Sequence, residues 1–203
     1  RVWESVSIFE NADSRFLVVI GVRRWRDLAS PIKIQIDPQK PHLNFKKYPL
    51  KPEALEGIRL IVLDYIKRGL IIPCRSLCNT PTLPVKKPDD RGWRFVQDLR
   101  AINNIVIPCH LLVSNSHMLL TTIPAEGEFF TVTDLCSACF SIPVEKDSQF
   151  LFASLGEQTV QWTVMPQGYT ESSTYFTQIL KADLPDIDFL KIHFNKIFYL
   201  TQK

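Results

Sequence analysis

The sequence predicts an α+β fold. Three observations carry that prediction: one long amphipathic helical pattern, two segments that read as β-hairpins, and an apolar, β-branched run that closes on a single carboxylate. With 203 residues, 45% of them hydrophobic, the chain is long enough to bury a substantial core.

Residues 1–30 have mixed charge and short apolar runs without a defensible period. Arg1 in first position predicts a fragment or a processed product. The apolar stretch Phe16 to Val22 is followed by Arg23-Arg24. It is too short to span a bilayer and has no cleavage-site pattern behind it, so the expectation is a soluble, intracellular chain with no membrane partner. From Pro31 the pattern becomes regular. Ile32-x-Ile34-x-Ile36 alternates as an edge strand would, and a Pro-rich connector runs on to Pro49. A helix is expected from Pro52 to Arg68. Pro52 suits the first turn, Glu53 and Glu56 favour the positive end of the dipole, Leu55, Ile58, Val62, Tyr65 and Ile66 share a face, and Gly69 stops it.

Leu70 to Pro73 reads as a short strand. Thr80 to Lys86 and Trp93 to Val96 read as a hairpin closed by Asp89-Asp90-Arg91-Gly92. Lys86, Lys87, Arg91 and Arg94 would crowd near its tip, tolerable in solvent and useful beside phosphate. Asp98 to Asn103 reads as a short helix. After a stretch containing Pro and Ser comes Phe129-Phe130-Thr131-Val132-Thr133-Asp134, a strand expected to end on its acid. A two-turn helix is expected from Leu135 to about Pro143. Phe150 to Ser154 and Thr159 to Val164 suggest a second hairpin. Met165-Pro166-Gln167-Gly168 forms a tight loop entering a helix from about Thr170 to Ala182.

Charge is distributed unevenly. Lys46 to Arg100 holds twelve Lys/Arg against six Asp/Glu, whereas Ala101 to Asp188 holds two against ten. A basic segment beside an acidic one suits a protein that grips a polyanion and gathers cations, and ordinary solvated faces are the plain alternative. Asp134 has two readings of its own: a cation ligand at a strand end, or a cap for the helix that follows. The five cysteines include Cys74-x3-Cys78 and Cys136-x2-Cys139, but their contexts differ and neither follows a zinc-knuckle pattern. Reduced thiols are the expectation.

The ordered text Tyr48-Pro49-Leu50, Pro52-Glu53-Ala54-Leu55, Asn79-Thr80-Pro81-x-Leu83-Pro84-Val85-Lys86-Lys87-Pro88, Trp93-Arg94-x-Val96-Gln97-Asp98-Leu99-Arg100-x-x-Asn103 and Pro166-Gln167-Gly168 resembles retroviral reverse transcriptases. The likeness runs from about Ile32 to Leu184 and is strongest to the gammaretroviral and endogenous retroviral branch. It implies the fingers and palm of a right-hand polymerase over residues 31–188, truncated before a Tyr-x-Asp-Asp hairpin. Residues 1–30 are left unassigned and residues 189–203 form a divergent C-terminal tail.

The implied activity is RNA-directed DNA polymerisation, a nucleotidyl transfer from dNTPs onto an RNA or DNA primer-template. The implied cofactor is Mg²⁺, with Mn²⁺ as a substitute. Lys87 and Arg94 would hold the triphosphate, as a point charge and a planar fork suit phosphate oxygens. Asp134 would be the catalytic, metal-binding carboxylate, Leu135 would offer its backbone carbonyl to the metal, and Gln167 would steady nucleotide and template. Each has a plain alternative: Lys87 as a solvated tip residue, Arg94 as the partner of Asp89 or Asp90, Gln167 as a helix-entry cap.

Three departures from the family pattern bear on activity. The pattern after the catalytic acid is a second acid, a small residue and an aromatic pair, and here Ser137, Ala138, Cys139 and Phe140 stand there. Cys139 replaces the large aromatic that abuts the sugar, which implies weaker rejection of a 2′-hydroxyl. The family's Tyr-x-Asp-Asp, whose first Asp completes a two-metal site, has no counterpart. Asp183, Asp186 and Asp188 read as capping or turn residues, and no acid follows them. The expectation is a reverse transcriptase segment inactive as this chain. The rival readings are a non-enzymatic binder, using basic fingers on nucleic acid or an open palm edge on a protein partner, and an unstable relic.

Overall fold

A computed structural model describes residues 6–10, 16–21, 29–40, 43–46, 48–76, 78–88, 92–109, 121, 129–155, 159–183, 190–193 and 196–201. The elements in chain order are β1 (Val6–Glu10), β2 (Phe16–Gly21), α1 (Pro52–Lys67), β3 (Ile71–Pro73), β4 (Thr80–Lys86), β5 (Trp93–Gln97), α2 (Arg100–Ile105), β6 (Phe129–Cys136), α3 (Lys146–Gln149), β7 (Ala153–Leu155), β8 (Thr159–Trp162), α4 (Ser172–Asp183), β9 (Leu190–His193) and β10 (Lys196–Thr201). Single 3₁₀ turns lie at Ala138–Ser141 and Phe150–Phe152. The chain divides into two units, one of Ser30–Pro108 with Pro143–Ser172 and one of Arg1–Ala29, Cys109–Ile142 and Ser173–Lys203. Each holds its own five-stranded sheet.

The first unit carries the sheet β3-β8-β7-β4-β5. Its helix α1 begins with Pro52 in the first turn and ends where Gly69, at φ +65°, leaves the helical region, as the sequence predicts. Ile58 is its buried residue, and a cavity of about 380 Å³ is lined by Leu55, Ile58, Val62 and Ile66 of the helix and by Phe95 and Val160 of the sheet. Tyr65, Phe95 and Trp162 meet with ring centroids 5.6–6.3 Å apart, within the range where aromatic pairs attract. Helix and hairpin stand close at Gly57, where an added Cβ would lie 2.1 Å from Trp93 Cδ1. Lys86 extends over the Trp93 ring at 5.6 Å and pairs with Glu53 of α1 at 3.1 Å, so this lysine is spent on holding helix to hairpin.

The second unit carries the sheet β1-β2-β6-β10-β9. Strand β6 lies at its centre, parallel to β2 and antiparallel to β10. The sheet's edge strands are β1 and β9. Residues 1–30, without a readable period, contribute the antiparallel pair β1 and β2. The tail contributes β9 and β10, a hairpin in which His193 is paired with Lys196.

Several local expectations are corrected. Ile32 to Ile36 is not a ladder strand: Ile32 bridges Val144, Ile36 bridges Val106, and Ile34 donates its N–H to Ser148 Oγ at 3.0 Å. The alternation is real, since Ile34 is buried, but the segment finds a different partner at each step. Strand β6 continues two residues past Asp134, which excludes the helix-cap reading, and a single 3₁₀ turn replaces the two-turn helix. Ser137 takes a left-handed φ of +57° there and breaks the chain direction before a helix can start. Phe150 to Phe152 winds into a 3₁₀ turn because α3 runs directly into it, leaving only Ala153–Leu155 as strand. Helix α2 begins at Arg100 rather than Asp98. Asp89, Asp90, Arg91 and the stretch before Phe129, apart from Thr121, lie outside the described residues.

Gly57→Ala tests the contact between α1 and β5. Ala gains about 1 kcal/mol of helix propensity over Gly, but the methyl must displace the Trp93 indole, and overpacking of this kind costs about 1–3 kcal/mol. The expected outcome of urea denaturation is a net loss of stability. A gain would show that helix and hairpin do not meet at Gly57.

Candidate functional site

In the first unit, β4 and β5 pair with Lys86 opposite Trp93, Val85 opposite Arg94 and Thr82 opposite Gln97. Trp93, Phe95 and Gln97 alternate toward α1 and the core, which turns Arg94 to the opposite face. Lys87 donates its N–H to Gly92 O at 2.8 Å and so continues the ladder one step beyond the strand. Lys87 and Arg94 are both exposed, and among the described residues neither has an acid partner. They differ in this from Lys86, whose contacts with Glu53 and Trp93 are structural.

The hairpin is anchored at its base by Gln97, which is 5% exposed. Its Nε2 donates to Thr80 Oγ1 at 2.7 Å and to Ala153 O at 2.9 Å, and its Oε1 accepts from Trp162 Nε1 at 2.8 Å. One buried amide thus ties β5 to β4, β7 and β8, with every bond satisfied. Beside it Thr82 and Ser154 share a hydroxyl hydrogen bond of 2.6 Å.

Asp98 follows, its N–H bonded to Pro81 O and its carboxylate gripped by Arg100 through Nε at 2.9 Å and Nη2 at 2.6 Å. This fork-to-fork hydrogen bond holds the Asp98 carboxyl below the usual carboxylate range against the opposing effect of burial, and the Arg100 backbone N–H pulls the same way as the guanidinium. Arg100 is in turn pushed up by that hydrogen bond.

Gln167 lies exposed on the loop that carries Gly168 at φ +95°. The loop is fixed from both sides. Met165 and Pro166 are buried, Ser172 Oγ donates to Pro166 O at 3.2 Å, and Asn103 clamps the other end. The Asn103 side chain donates to Gly168 O at 3.0 Å and accepts the Thr170 N–H at 3.1 Å. Asn103, Gln97 and the Asp98–Arg100 pair all fall inside the motif text, yet motif matching assigned them no role. Their work is to position neighbouring residues, and sequence spacing gives no sign of that.

In the second unit Asp134 occupies strand β6 and Leu135, next to it, is fully buried. Cys139 is half-buried in the 3₁₀ turn while Phe140 is buried. The register across the sheet places Val19 of β2, Asp134 of β6, Lys196 of β10 and His193 of β9 on one rung. The next rung on the same face reads Leu17, Val132, Phe198 and Lys191. Among the described residues no group of three or more His, Cys, Asp and Glu is arranged to hold a metal, and no helix is long and apolar enough to cross a membrane. Asp186 and Asp188 lie outside the described residues.

No family model matches the chain. Over 165 residues, 81% of its length, it is 41% identical to the Gag-Pol polyprotein of Walleye dermal sarcoma virus. Over 164 residues, 77% of its length, it is 39% identical to that of Baboon endogenous virus (strain M7). Among solved structures, the foamy viral protease-reverse transcriptase in complex with dsDNA matches 86% of the chain with a TM-score of 0.76 and 29% identity. The chain is a retroviral Pol relative with the reverse transcriptase fold. The same foamy viral protein in complex with an RNA/DNA hybrid also gives a TM-score of 0.76 at 29% identity, over 85% of the chain. The chain spans about a tenth of these polyproteins, 9% and 10%, and 36% and 23% of the two solved chains. The fingers and palm resemblance read from the motifs is thus borne out at the level of relatives and of fold.

The Asp98–Arg100 pair makes stability depend on acid. Because the folded pKa of Asp98 is depressed, its contribution is fully present above the unfolded value of about 3.9 and is lost as pH falls through the folded value. Denaturation midpoints at pH 7 and pH 3 should differ less in Arg100→Gln than in the parent chain. An unchanged difference would mean that the pair is not formed in solution.

Proposed function

We propose that the chain serves as the nucleic-acid-holding fingers and palm of a reverse transcriptase of retroviral type. That enzyme class performs RNA-directed DNA polymerisation from dNTPs, but this chain binds an RNA or DNA primer-template without adding nucleotides. The observation that carries the binding half is the pair Lys87 and Arg94, exposed on the face of the β4–β5 hairpin away from α1 and without an acid partner among the described residues. A hairpin presenting two exposed cations suits phosphate, whether in a strand or in a nucleoside triphosphate. The relatives solved with dsDNA and with an RNA/DNA hybrid support the same reading. Gln167, on a loop held by Asn103 and Ser172, is the residue of this unit best braced to touch a base or sugar.

The catalytic half of the proposal rests on the absence of carboxylates from one segment. The hairpin that follows α4 has no Asp or Glu from Leu190 to Thr201, so Asp134 gains no second acid from the strand paired with it. A single carboxylate cannot hold two divalent ions in register, and a loss of a few kcal/mol of transition-state stabilisation costs orders of magnitude in rate.

Binding should be electrostatic. In fluorescence titrations of labelled primer-template against salt, Lys87→Gln and Arg94→Gln should each reduce the slope of log K against log[salt] by about 1. Tight binding indifferent to salt would place the contact on another surface.

Primer extension by the 203-residue chain should be undetectable with Mg²⁺ or Mn²⁺. Robust extension that disappears in Asp134→Ala would show that another acid completes the site and would overturn the non-catalytic half of the proposal.

A further inference from the structure

Behind the β4–β5 hairpin, on the face opposite Arg94, a cavity of about 380 Å³ opens between α1 and the sheet, wholly within the first unit. Its helix wall repeats at helical spacing, because Leu55, Ile58, Val62 and Ile66 fall three or four residues apart and share one side of α1. Ile58 is buried, but Leu55, Val62 and Ile66 are only half-buried. Apolar side chains that line a cavity beneath a helix and still reach solvent mark a pocket with a mouth. Its floor crosses four neighbouring strands, with Phe95 on β5, Thr82 on β4, Ser154 on β7 and Val160 on β8.

The lining decides what fits. An ordered buried water needs about two to four polar partners. The floor offers the hydroxyls of Thr82 and Ser154, which are already joined to each other at 2.6 Å, and most of the remaining surface is aliphatic or the Phe95 ring. Such a lining favours an apolar occupant over water. Size narrows the choice further. An apolar cavity of about 150 Å³ takes up benzene, so one of about 380 Å³ has room for a fused two-ring body. The Phe95 ring, edge-on to Tyr65, gives such a body an aromatic wall to pack against.

One lining residue carries a charge. Arg59 borders the cavity while 58% of its side chain is exposed, which sets it at the mouth. Its contact with Glu56 is 3.6 Å long and equally solvated, a surface pair that holds neither partner firmly. A planar guanidinium at the mouth of an apolar pocket selects a carboxylate, which it can grip through two N–H groups.

We propose that this cavity is a binding site for a small aromatic carboxylic acid, with its rings against Phe95, Val160 and the helix wall and its carboxylate on Arg59. A ligand so placed joins α1 to the sheet, and occupancy stabilises the folded chain by mass action. Lys87 and Arg94 have no part in the site, so the inference stands or falls independently of nucleic-acid binding.

The test uses naphthoate and its uncharged analogue naphthamide with the full 203-residue chain, read by isothermal titration calorimetry and by the thermal midpoint. Naphthoate should bind saturably at a single site and raise the midpoint as its concentration rises, and naphthamide should bind about tenfold more weakly. Arg59→Gln, at an exposed position, should bring naphthoate to within about twofold of naphthamide and leave naphthamide binding unchanged. Val62→Phe and Leu55→Phe fill the cavity from two positions on α1, and each should abolish binding of both compounds while the circular dichroism stays that of the parent. Should either filled variant misfold, the Arg59→Gln comparison still decides. Absence of saturable naphthoate binding, equal affinity of the parent for the two compounds, or binding that survives in both filled variants would each overturn the proposal.

Discussion

The alignment of β10 on β6 is the constraint on which the second unit depends. Six consecutive residue pairs, from Lys196 opposite Asp134 to Thr201 opposite Phe129, set which residues share a face with the acid. Because side chains alternate along a strand, a shift of one residue exchanges the two faces entirely. In the observed register one face runs Asp134, Val132 and Phe130 on β6 against Lys196, Phe198 and Leu200 on β10. Asp134 and Lys196 thus hold opposed positions at one end of that row, and a slip of one residue would set Asp134 against Ile197 or Asn195 instead.

A different device organises the first unit. There the buried Gln97 amide links four strands, and loss of such a satisfied centre would leave a hydroxyl, a carbonyl and an indole N–H without partners, at about 1–3 kcal/mol for each group stranded. The Asp98–Arg100 fork and the Asn103 clamp follow directly in sequence, so one short segment fixes the hairpin base, the start of α2 and the Gln167 loop. Lys87 and Arg94 have no acid partner among the described residues, while Gln97, Asp98 and Asn103 beneath them are hydrogen-bonded. Groups placed on a braced scaffold in this way would need little reordering on binding a ligand.

What could be read from the sequence follows from how local each signal is. Helix α1 announces itself through Pro52, its apolar face and Gly69, and the β4–β5 hairpin through its turn residues, because caps and turns are set by neighbours in the chain. Strands β1, β2, β9 and β10 gave no comparable signal. β2 is held by pairing with β6, far away in sequence, and long-range pairing leaves little local pattern. Asp134 was recognised as a strand residue, but the strand's extension to Cys136 depends on Ser137 adopting a left-handed conformation, which few residues other than Gly, Asn and Asp do readily. The roles of Gln97 and Asn103 were hidden for a further reason: both are defined by what they bond to across the fold. Lys87, Arg94 and Gln167 are singled out by motif alone, whereas the register that sets Lys196 opposite Asp134 and His193 opposite Lys196 has no local signal.

The two halves of the account meet in a protein that has the fold of its relatives and a basic β4–β5 hairpin, while the segment from Leu190 to Thr201 carries no acid. The pairing of Asp134 with Lys196 is the claim on which that picture most depends. The most direct measurement is a set of backbone nuclear Overhauser contacts in an isotopically labelled 203-residue chain. Cross-strand contacts between Asp134 and Lys196, and in step between Val132 and Phe198, are the predicted result. Contacts that pair Asp134 with any other residue of the Leu190 to Thr201 segment, or the absence of pairing between β6 and that segment, would contradict it.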